Sequence, residues 1–412
     1  MVDAVMAGKR CKLCGSFLAG PQLDLGSLPA CNGFTNPRAI PQTHPLILTA
    51  CKTCGLVQLV ACPPPDFVVP RVPWIRYREP DAHLDDVADR LMPMLSGGQA
   101  KSVGVGPFDG PLLERLGRKG VASAPLDLMG PLAAGCHAPG TYPYLETLQG
   151  LLRPAELAAS AASCGGADVV VCRYLLEHSH DPLATLVGLR QLLGPGGVLV
   201  VEVPDSQKFL SRADYSFVWE EHICYFTEST VTRLATQAGY RILHLFRYEG
   251  VLEDALVLVL ENSEGAAQAR TEEIGDREAQ LFLSYQANFP KQCAAWQSRL
   301  EGFVRDGRKI GLLGIGHQAI MFLNALGLQG YISVMADDEP DKQGSFAPGS
   351  SSPIVSSAAM ASDLEIGVWL LAVSPRAIPA IGNKFAAVLA RGAKMYTIFA
   401  GNPDDGIAGL TP

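Results

Sequence analysis

The segment KSVGVGPFDG, residues 101–110, decides the fold class, because a short apolar strand runs directly into a glycine-containing turn. Two more apolar stretches follow along the chain, GADVVVC (residues 166–172) and GGVLVVEV (residues 196–203). Between them, DPLATLVGLRQLL (residues 181–193) begins with Asp-Pro and has the apolar spacing of a helix. Strands that alternate with helices predict parallel βαβ units and a doubly wound α/β sheet.

The composition bounds the size and class of the protein. The chain has 412 residues, which at ~150 residues per domain predicts two or three domains. Its formal net charge of -8 argues against nucleic acid and membranes as partners, since phosphates and anionic lipids attract clustered Lys and Arg. No apolar run reaches the ~20 residues of a membrane span, and the first residues lack the order of a signal peptide. We therefore expect a cytoplasmic protein whose 11 cysteines are thiols or metal ligands.

The chain divides into four segments. Residues 1–75 are rich in Cys and Pro, with LILTAC and GLVQLV as expected strands. Residues 76–262 carry the alternating α/β pattern, and their ALVLVLEN stretch is expected to be an antiparallel edge strand. Residues 263–300 are polar and favour a helical connector, and residues 301–412 restart an α/β pattern. The sequence thus predicts an N-terminal module followed by two α/β domains.

Two CxxC-Gly motifs predict a zinc site in the first segment. Cys11 and Cys14 form one pair, and Cys51 and Cys54 form the other. Zinc needs four ligands in a tetrahedron, and each CxxC turn supplies two thiolates from one loop. The alternatives are two redox motifs or four idle thiols, but the paired motifs favour zinc. Four protein ligands leave no open position, so the role is structural.

The turn after the first strand is the expected cofactor site of the middle domain. Gly104 and Gly106 allow a close approach of the backbone, as in loops that bind NAD, FAD or S-adenosylmethionine (SAM). Asp127, near the end of the next strand, is the candidate partner for ribose hydroxyls. The alternative is a tight turn with a purely structural role.

Polar side chains follow two of the predicted parallel strands. Tyr174, Glu177, His178 and His180 come after GADVVVC, and WEEHICYFT (residues 219–227) comes after GGVLVVEVPD. The carboxyl ends of parallel strands meet at one edge of a sheet, so the two groups are expected to share a crevice. An acid beside a histidine makes the histidine more basic, and a tyrosine adds a hydroxyl. Either group alone is more typical of a solvated surface, but their convergence favours an active site.

The chain resembles the zinc-containing, SAM-dependent C-methyltransferases that act on nucleotide-linked keto-sugars. The front module matches through the two CxxCG motifs and LDLGSLPACNGF, and the middle through GPFDG, LLEHSHDP, GGVLVVEVPD and EEHICYFT. The last segment matches through DDEPDKQGSFAPGSSSPI. The resemblance implies a Rossmann-like class I methyltransferase domain between the zinc-binding module and a C-terminal Rossmann-like domain. It also implies a small-molecule substrate, of the nucleotide-linked type, and leaves the oligomeric state open.

The resemblance implies catalytic roles for five residues. His222 corresponds to the family's general base, which removes a proton from the carbon next to a ketone, with Glu221 orienting it. His178 corresponds to a second active-site histidine that stabilises the enolate oxygen. Tyr77, in WIRYREPDAH, lies near the family's substrate-side tyrosine, and Tyr225 adds a hydroxyl.

The resemblance also implies where SAM binds. The cofactor is expected against the turn after the first strand and beside the residues at the ends of the neighbouring strands. These candidates are Gly104, Gly106, Asp109, Gly110, Asp127 and Tyr174.

Two departures from the family keep other functions open. Trp219 stands where the family usually has a tyrosine, and Gly104 stands where it usually has an acid. They motivate a non-catalytic descendant that binds a nucleotide-linked ligand. An NAD-dependent oxidoreductase is the other alternative, since Gly311–Gly316 resembles a dinucleotide turn and Asp337-Asp338 follow about 20 residues later. For the Gly311–Gly316 turn we favour a structural role that only shapes the crevice, because methyl transfer needs no nicotinamide.

Overall fold

The computed structural model describes residues 8–36, 38–68, 80–95, 100–126, 157, 166–263, 275–402 and 405–407. The strands are β1 (Gln22–Pro29), β2 (Thr43–Ala50), β3 (Val57–Leu59), β4 (Lys101–Gly104), β5 (Ala122–Pro125), β6 (Ala167–Arg173), β7 (Leu193–Asp205), β8 (Cys224–Tyr225), β9 (Tyr240–Tyr248), β10 (Asp254–Asn262), β11 (Lys309–Leu313), β12 (Val334–Ala336), β13 (Ile354–Val355), β14 (Ile366–Leu371) and β15 (Lys394–Thr397). The helices are α1 (Pro65–Val68), α2 (Leu84–Leu91), α3 (Gly110–Arg118), α4 (Pro182–Leu189), α5 (Gln207–Arg212), α6 (Glu228–Gln237), α7 (Gly275–Arg305), α8 (His317–Ala325), α9 (Ser357–Ser362), α10 (Ile378–Lys384) and α11 (Ala386–Ala390).

The N-terminal module is a small antiparallel sheet that the middle segment completes. Its strand order is β1-β2-β3-β8, and β8 pairs with β3 through Val57 with Tyr225 and Gln58 with Cys224. The strands predicted from LILTAC and GLVQLV are confirmed as β2 and β3. β8 follows His222 directly in the chain. The strand that completes the sheet of the zinc-binding module is therefore continuous with the candidate catalytic histidine.

The middle domain is a six-stranded sheet in the order β5-β4-β6-β7-β10-β9. The first four strands are parallel, as the alternating pattern predicts. The sheet is buried on both faces, since Val169 and Val171 pack with α2 and α3 while Val170 and Cys172 face the other core. Two buried faces explain why β6 reads as a nearly continuous apolar run. The sheet thus presents the carboxyl ends of β4, β6 and β7 along one edge.

The strand formed by ALVLVLEN is antiparallel, as expected, but its predicted position at the edge is wrong. β10 lies between β7 and β9, and it pairs antiparallel with both. β9 is the true edge, and most of its residues are exposed or half-buried, in contrast to β10. The burial of β10 follows from the pairing of β9 outside it.

The C-terminal domain is a five-stranded, all-parallel sheet in the order β13-β12-β11-β14-β15. Helix α7 leads into it and ends at Arg305, five residues beyond the predicted end of the connector at residue 300. The domain also contacts the N-terminal module, because Thr35 and Phe346 exchange backbone hydrogen bonds of 3.1 and 2.8 Å. Among the described residues, no helix combines the length and apolar character needed to cross a bilayer.

Candidate active site and zinc site

The four cysteines of the two CxxC motifs come together as predicted. The Sγ atoms of Cys11, Cys14, Cys51 and Cys54 lie within 4.8 Å of one another. Cys11 is 3.5 Å from Cys54, and Cys14 is 3.6 Å from Cys51. These separations are too long for disulfides, whose sulfur atoms lie ~2.05 Å apart. They fit the edges of a tetrahedral site with zinc–sulfur bonds of ~2.3 Å, which are roughly 3.8 Å long.

Each CxxC turn is built by the glycine that follows it. Gly15 and Gly55 have φ angles of +70° and +80°, a left-handed conformation that suits glycine. In that conformation their amides donate to the carbonyls of Cys11 and Cys51, at 3.0 and 2.8 Å. These bonds close each turn and direct both of its thiols to the same side. The residues therefore fit a structural zinc ion, and the closed set of four ligands leaves no position for a substrate.

The glycine-rich turn of the middle domain is organised by Asp109. Its carboxylate accepts backbone hydrogen bonds from Val105 and Gly106, both at 2.7 Å, and from Arg173 at 2.8 Å. Asp109 is fully buried, and burial raises the pKa of its carboxyl to about 7. A Cβ atom at Gly104 would lie 2.7 Å from the Cβ atom of Asp109. The glycine at the end of β4 is thus required by the packing of the turn itself.

The turn opens towards a cleft at the carboxyl edge of the sheet. Phe108 and Tyr174 line this cleft, and their rings meet edge to face with centroids 6.5 Å apart. Gly110 has open space where a side chain would point. These features fit a cofactor placed against the turn. Contact of Gly104, Gly106, Asp109, Gly110 and Tyr174 with SAM stays a prediction, and the predicted residues Tyr77 and Asp127 lie outside the described residues.

A buried ion-pair network supports the turn from beneath. Arg173, at the end of β6, pairs with Glu202 of β7, and both side chains are 1% exposed. The same guanidinium donates to the carbonyls of Phe108 and Pro80. Burial works against the charge on Glu202, but the hydrogen bond from His83 and the positive charge of Arg173 hold the pKa of this carboxyl below its usual value. The network therefore ties the cofactor turn to the two central strands.

Three polar side chains meet at the carboxyl ends of β6 and β7. The carboxylate of Glu177 and ring nitrogens of His178 and His222 lie within 4.8 Å of one another. The two imidazole rings are 4.7 Å apart at an angle of 85°. Glu177 and His178 belong to a short 3₁₀ turn, Leu176–His178, whose Glu177 carbonyl accepts from the amide of Ile223 at 2.8 Å. This confirms that the two polar groups of the sequence converge on one crevice.

The histidines of the cleft are neutral at pH 7. Burial lowers the pKa of His178 to about 3 and holds the pKa of His222 well below 6.5. His317, from the start of α8 in the C-terminal domain, also lines the cleft, and burial lowers its pKa to about 3. A neutral imidazole has a free lone pair, so it can accept a proton or bind a metal ion.

The two predicted helpers of His222 have other contacts. The carboxylate of Glu221 accepts a hydrogen bond from Asn32 at 3.5 Å, so it faces the N-terminal module. The hydroxyl of Tyr225 accepts from the amide of Trp219 at 2.9 Å and donates to its carbonyl at 3.1 Å. It thereby shapes the turn that presents His222, whose amide donates to that same carbonyl at 3.0 Å. Catalytic roles for Glu221 and Tyr225 stay predictions.

Glu177 is the carboxylate that lies with both histidines, and the sequence analysis assigned it no role. The feature of the sequence that marks Glu177 is its position directly before His178, at the end of a parallel strand. The acid next to His222 in the sequence was the simpler choice. Neighbouring side chains in a turn point in different directions, so the carboxylate that lies with both histidines is not the one next to His222 in the sequence.

His317 and Trp219 join the C-terminal and middle domains across the cleft. Their rings stack with centroids 4.4 Å apart and an interplanar angle of 12°. Cys31 contributes from the N-terminal module, since its thiol donates to Glu220 at 3.1 Å and approaches the carbonyl of His317 at 3.8 Å. The cleft is therefore lined by the middle and C-terminal domains, and the N-terminal module packs beside it through Cys31.

The glycine-rich turn of the C-terminal domain is already bonded to its own acid. Asp337 accepts from the amide of Ile315 at 2.8 Å and from Lys342 at 2.9 Å. Lys342 is buried and also donates to the carbonyl of Ile315 at 2.7 Å. The carboxylate that could bind the ribose of a dinucleotide is thus already engaged by the turn and by Lys342. This arrangement favours a structural role for the turn, which positions His317 at the cleft.

Comparisons with known proteins agree with the three-part organisation. Family models match over residues 11–67 (a zinc binding domain), 87–245 (a methyltransferase domain) and 261–399 (a C-methyltransferase C-terminal domain). The C-methyltransferase NovU of Streptomyces niveus is 25% identical over 381 residues, which cover 86% of this chain and 87% of NovU.

Solved structures resemble part of the chain only distantly. The 1,6-didemethyltoxoflavin-N1-methyltransferase of Burkholderia thailandensis is 16% identical, with a TM-score of 0.29, over 45% of this chain and 80% of its own. Magnesium protoporphyrin IX methyltransferase of Synechocystis PCC 6803, solved with bound SAM, is 15% identical, with a TM-score of 0.29, over 44% of this chain and 79% of its own. The three family models and the full-length relative carry the assignment, and by them the chain is a zinc-containing, SAM-dependent methyltransferase of the C-methyltransferase type.

Proposed function

We propose that the protein methylates an enolisable carbon of a small molecule, and that its acceptor is a nucleotide-linked keto-sugar. The observation that carries the proposal is the pair of neutral histidines at the carboxyl edge of the sheet, the buried His178 and the half-buried His222, beside the glycine-rich turn. A carbon acid next to a ketone needs a base that is unprotonated at neutral pH, and burial supplies that condition here. The acceptor class rests on the resemblance of the motifs to keto-sugar C-methyltransferases.

His222 is the base in this proposal. Its ring nitrogen takes the proton from the carbon next to the ketone, and the electrons of that C–H bond pass to the enolate. When bound, SAM would supply the methyl group: the enolate carbon would bond to it as the sulfur–methyl bond breaks, and S-adenosylhomocysteine would remain. Trp219 packs against the ring of His222, and His317 stacks on Trp219, so these rings exclude water from one side of the base. The neutral base becomes an imidazolium, which the nearby carboxylate of Glu177 stabilises.

His178 is held in one tautomer by its surroundings. Its ring hydrogen-bonds to the backbone of Glu221, while its Nδ1 atom has no partner among the described residues. The N–H is thus used by a carbonyl, and Nδ1 presents a lone pair. In this arrangement the predicted role of His178, donation of a hydrogen bond to the enolate oxygen, requires the ring to turn. An unpartnered lone pair is better suited to accept a proton or to bind a cation.

Proton exchange separates deprotonation from methyl transfer. We would incubate the zinc-loaded protein with S-adenosylhomocysteine and a panel of nucleotide-linked keto-sugars in deuterated water. S-adenosylhomocysteine has no methyl group to give, so deuterium at the carbon next to the ketone reports the base alone. His222→Ala should reduce this exchange, and methyl transfer from SAM, by about 10²–10⁴-fold, the usual contribution of a general base.

The matched control is His244→Ala, since His244 lies on the edge strand β9, where its ring stacks on Phe246. It should leave the exchange and the transfer unchanged. Calorimetric titration with S-adenosylhomocysteine should give the same affinity for both variants and for the unaltered protein. Undiminished exchange in His222→Ala would remove the base assignment.

A further inference from the structure

The cluster of Glu177, His178 and His222 has the composition of a metal site. Two imidazole nitrogens and one carboxylate oxygen lie within 4.8 Å of one another. The corresponding distance in a tetrahedral zinc site with bonds of ~2.05 Å is roughly 3.4 Å, so small side-chain rotations bring all three atoms to bonding distance. The cluster is separate from the four cysteines, which form their own closed set.

The surroundings of the three side chains favour an ion. Glu177 and His178 are 1% and 2% exposed, so water screens the carboxylate poorly. The Nδ1 atom of His178 is buried and has no partner among the described residues. Its tautomer is set by the bond to the backbone of Glu221, as is common for histidines that bind metals. His178 therefore has a buried lone pair that no described residue uses.

The ligand types indicate which ions fit. Two imidazoles and a carboxylate suit borderline divalent ions such as Zn²⁺ and Co²⁺. Mg²⁺ and Ca²⁺ prefer oxygen ligands and are poorly matched to this set. Three protein ligands leave at least one position open, and the open side is the cleft lined by Trp219 and His317.

We propose that Glu177, His178 and His222 form a second metal site, which takes a borderline divalent ion in the cleft. The ion uses the lone pair of His222 that would otherwise accept a proton. Occupation of the site and the base function of His222 therefore exclude each other, a consequence that rests on the proposed function. The metal site itself stands independently of the reaction.

Cobalt binding to the zinc-loaded protein tests the proposal. We expect one equivalent of Co²⁺ to bind by equilibrium dialysis while zinc stays at one equivalent. Its absorption should show the ligand-field bands of nitrogen and oxygen ligation, without the intense thiolate charge-transfer band that displacement of zinc from the cysteines would produce. His178→Ala and Glu177→Gln should each lower the affinity for Co²⁺ at least tenfold, and His244→Ala should not change it.

Zinc content and affinity for S-adenosylhomocysteine, measured on the same samples, show that each variant is folded. Absence of Co²⁺ binding to the unaltered protein would overturn the proposal, as would unchanged affinity in both folded cluster variants. A thiolate band would equally overturn it, because the cobalt would then sit at the cysteines. Deuterium exchange should fall in proportion to cobalt occupancy, and full exchange at full occupancy would refute the exclusion. If no acceptor exchanges or is methylated, the proposed function fails while cobalt stoichiometry still decides the metal site.

Discussion

Replacement of Glu202 by Gln tests whether the buried ion pair holds the cofactor turn. Glu202→Gln keeps the size of the side chain but removes the negative charge opposite Arg173. The guanidinium then stays buried at 1% exposure, surrounded by the carbonyls of Phe108 and Pro80, the ring of Tyr174 and the neutral amide. It also leaves His83, which donates to Glu202 at 2.9 Å, without its carboxylate.

The expected cost follows from the burial of both partners. Removal of one member of a buried ion pair costs about 3–5 kcal/mol, because the other charge is left uncompensated. For a domain of this size, each kcal/mol lowers Tm by about 2–4 °C, so Glu202→Gln should melt about 6–20 °C lower. Affinity for S-adenosylhomocysteine should fall at least tenfold, since the guanidinium of Arg173 also donates to the carbonyl of Phe108 in the cofactor turn.

Thermal unfolding and calorimetric titration of the zinc-loaded protein measure the two effects. The matched control is Glu261→Gln, which removes a glutamate paired with Arg241 on the same sheet but 31% exposed. An exposed pair contributes about 0–1 kcal/mol, so the control should melt within about 4 °C of the unaltered protein. In the double variant Arg173→Met/Glu202→Leu both charges are gone, and much of the lost stability should return. A melting temperature of Glu202→Gln equal to that of Glu261→Gln would refute the reasoning.

Three more predictions concern the zinc site and the cleft. Cys51→Ser should lower bound zinc well below one equivalent, and it should weaken binding of S-adenosylhomocysteine because β3 pairs with β8. The control Cys62→Ser, outside the metal cluster, should change neither the zinc content nor this binding. A full equivalent of zinc in Cys51→Ser would contradict the zinc site. The acidic limb of the pH–kcat profile should lie below pH 6.5, because burial lowers the pKa of His222 and keeps the base neutral as the pH falls. An acidic limb at or above pH 6.5 would contradict a lowered pKa for the base. His317→Ala removes the ring that stacks on Trp219, so KM for the acceptor should rise about tenfold while affinity for S-adenosylhomocysteine stays unchanged. An unchanged KM would show that the stacked rings do not shape the acceptor site.

Features that depend on neighbouring residues could be predicted from the sequence. The zinc ligands are one case, because each CxxC-Gly turn is closed by bonds within five residues. The helix at DPLATLVGLRQLL is another, since Asp181 caps it by accepting from the amide of Ala184 at 3.0 Å. Parallel pairing of β4, β6 and β7 followed from the alternation of strands and helices. The meeting of the two polar groups then followed from the geometry of parallel strands.

Features that join distant residues were decided by the tertiary structure. The sequence suggested Glu221 as the acid beside the base, but packing turned that carboxylate towards Asn32 and placed Glu177 with the histidines. Likewise, β10 was expected at an edge because nothing local reveals that β9 pairs outside it.

The sequence alone thus determined the zinc ligands, the parallel sheet and the two histidines. Turn conformation and the spacing of apolar residues along a strand or helix both depend on a few adjacent residues. The tertiary structure alone decided which carboxylate meets the histidines and brought His317 onto Trp219, 98 positions away. The physical reason is that side-chain direction in a turn, and contact across domains, depend on packing between segments that no local pattern records.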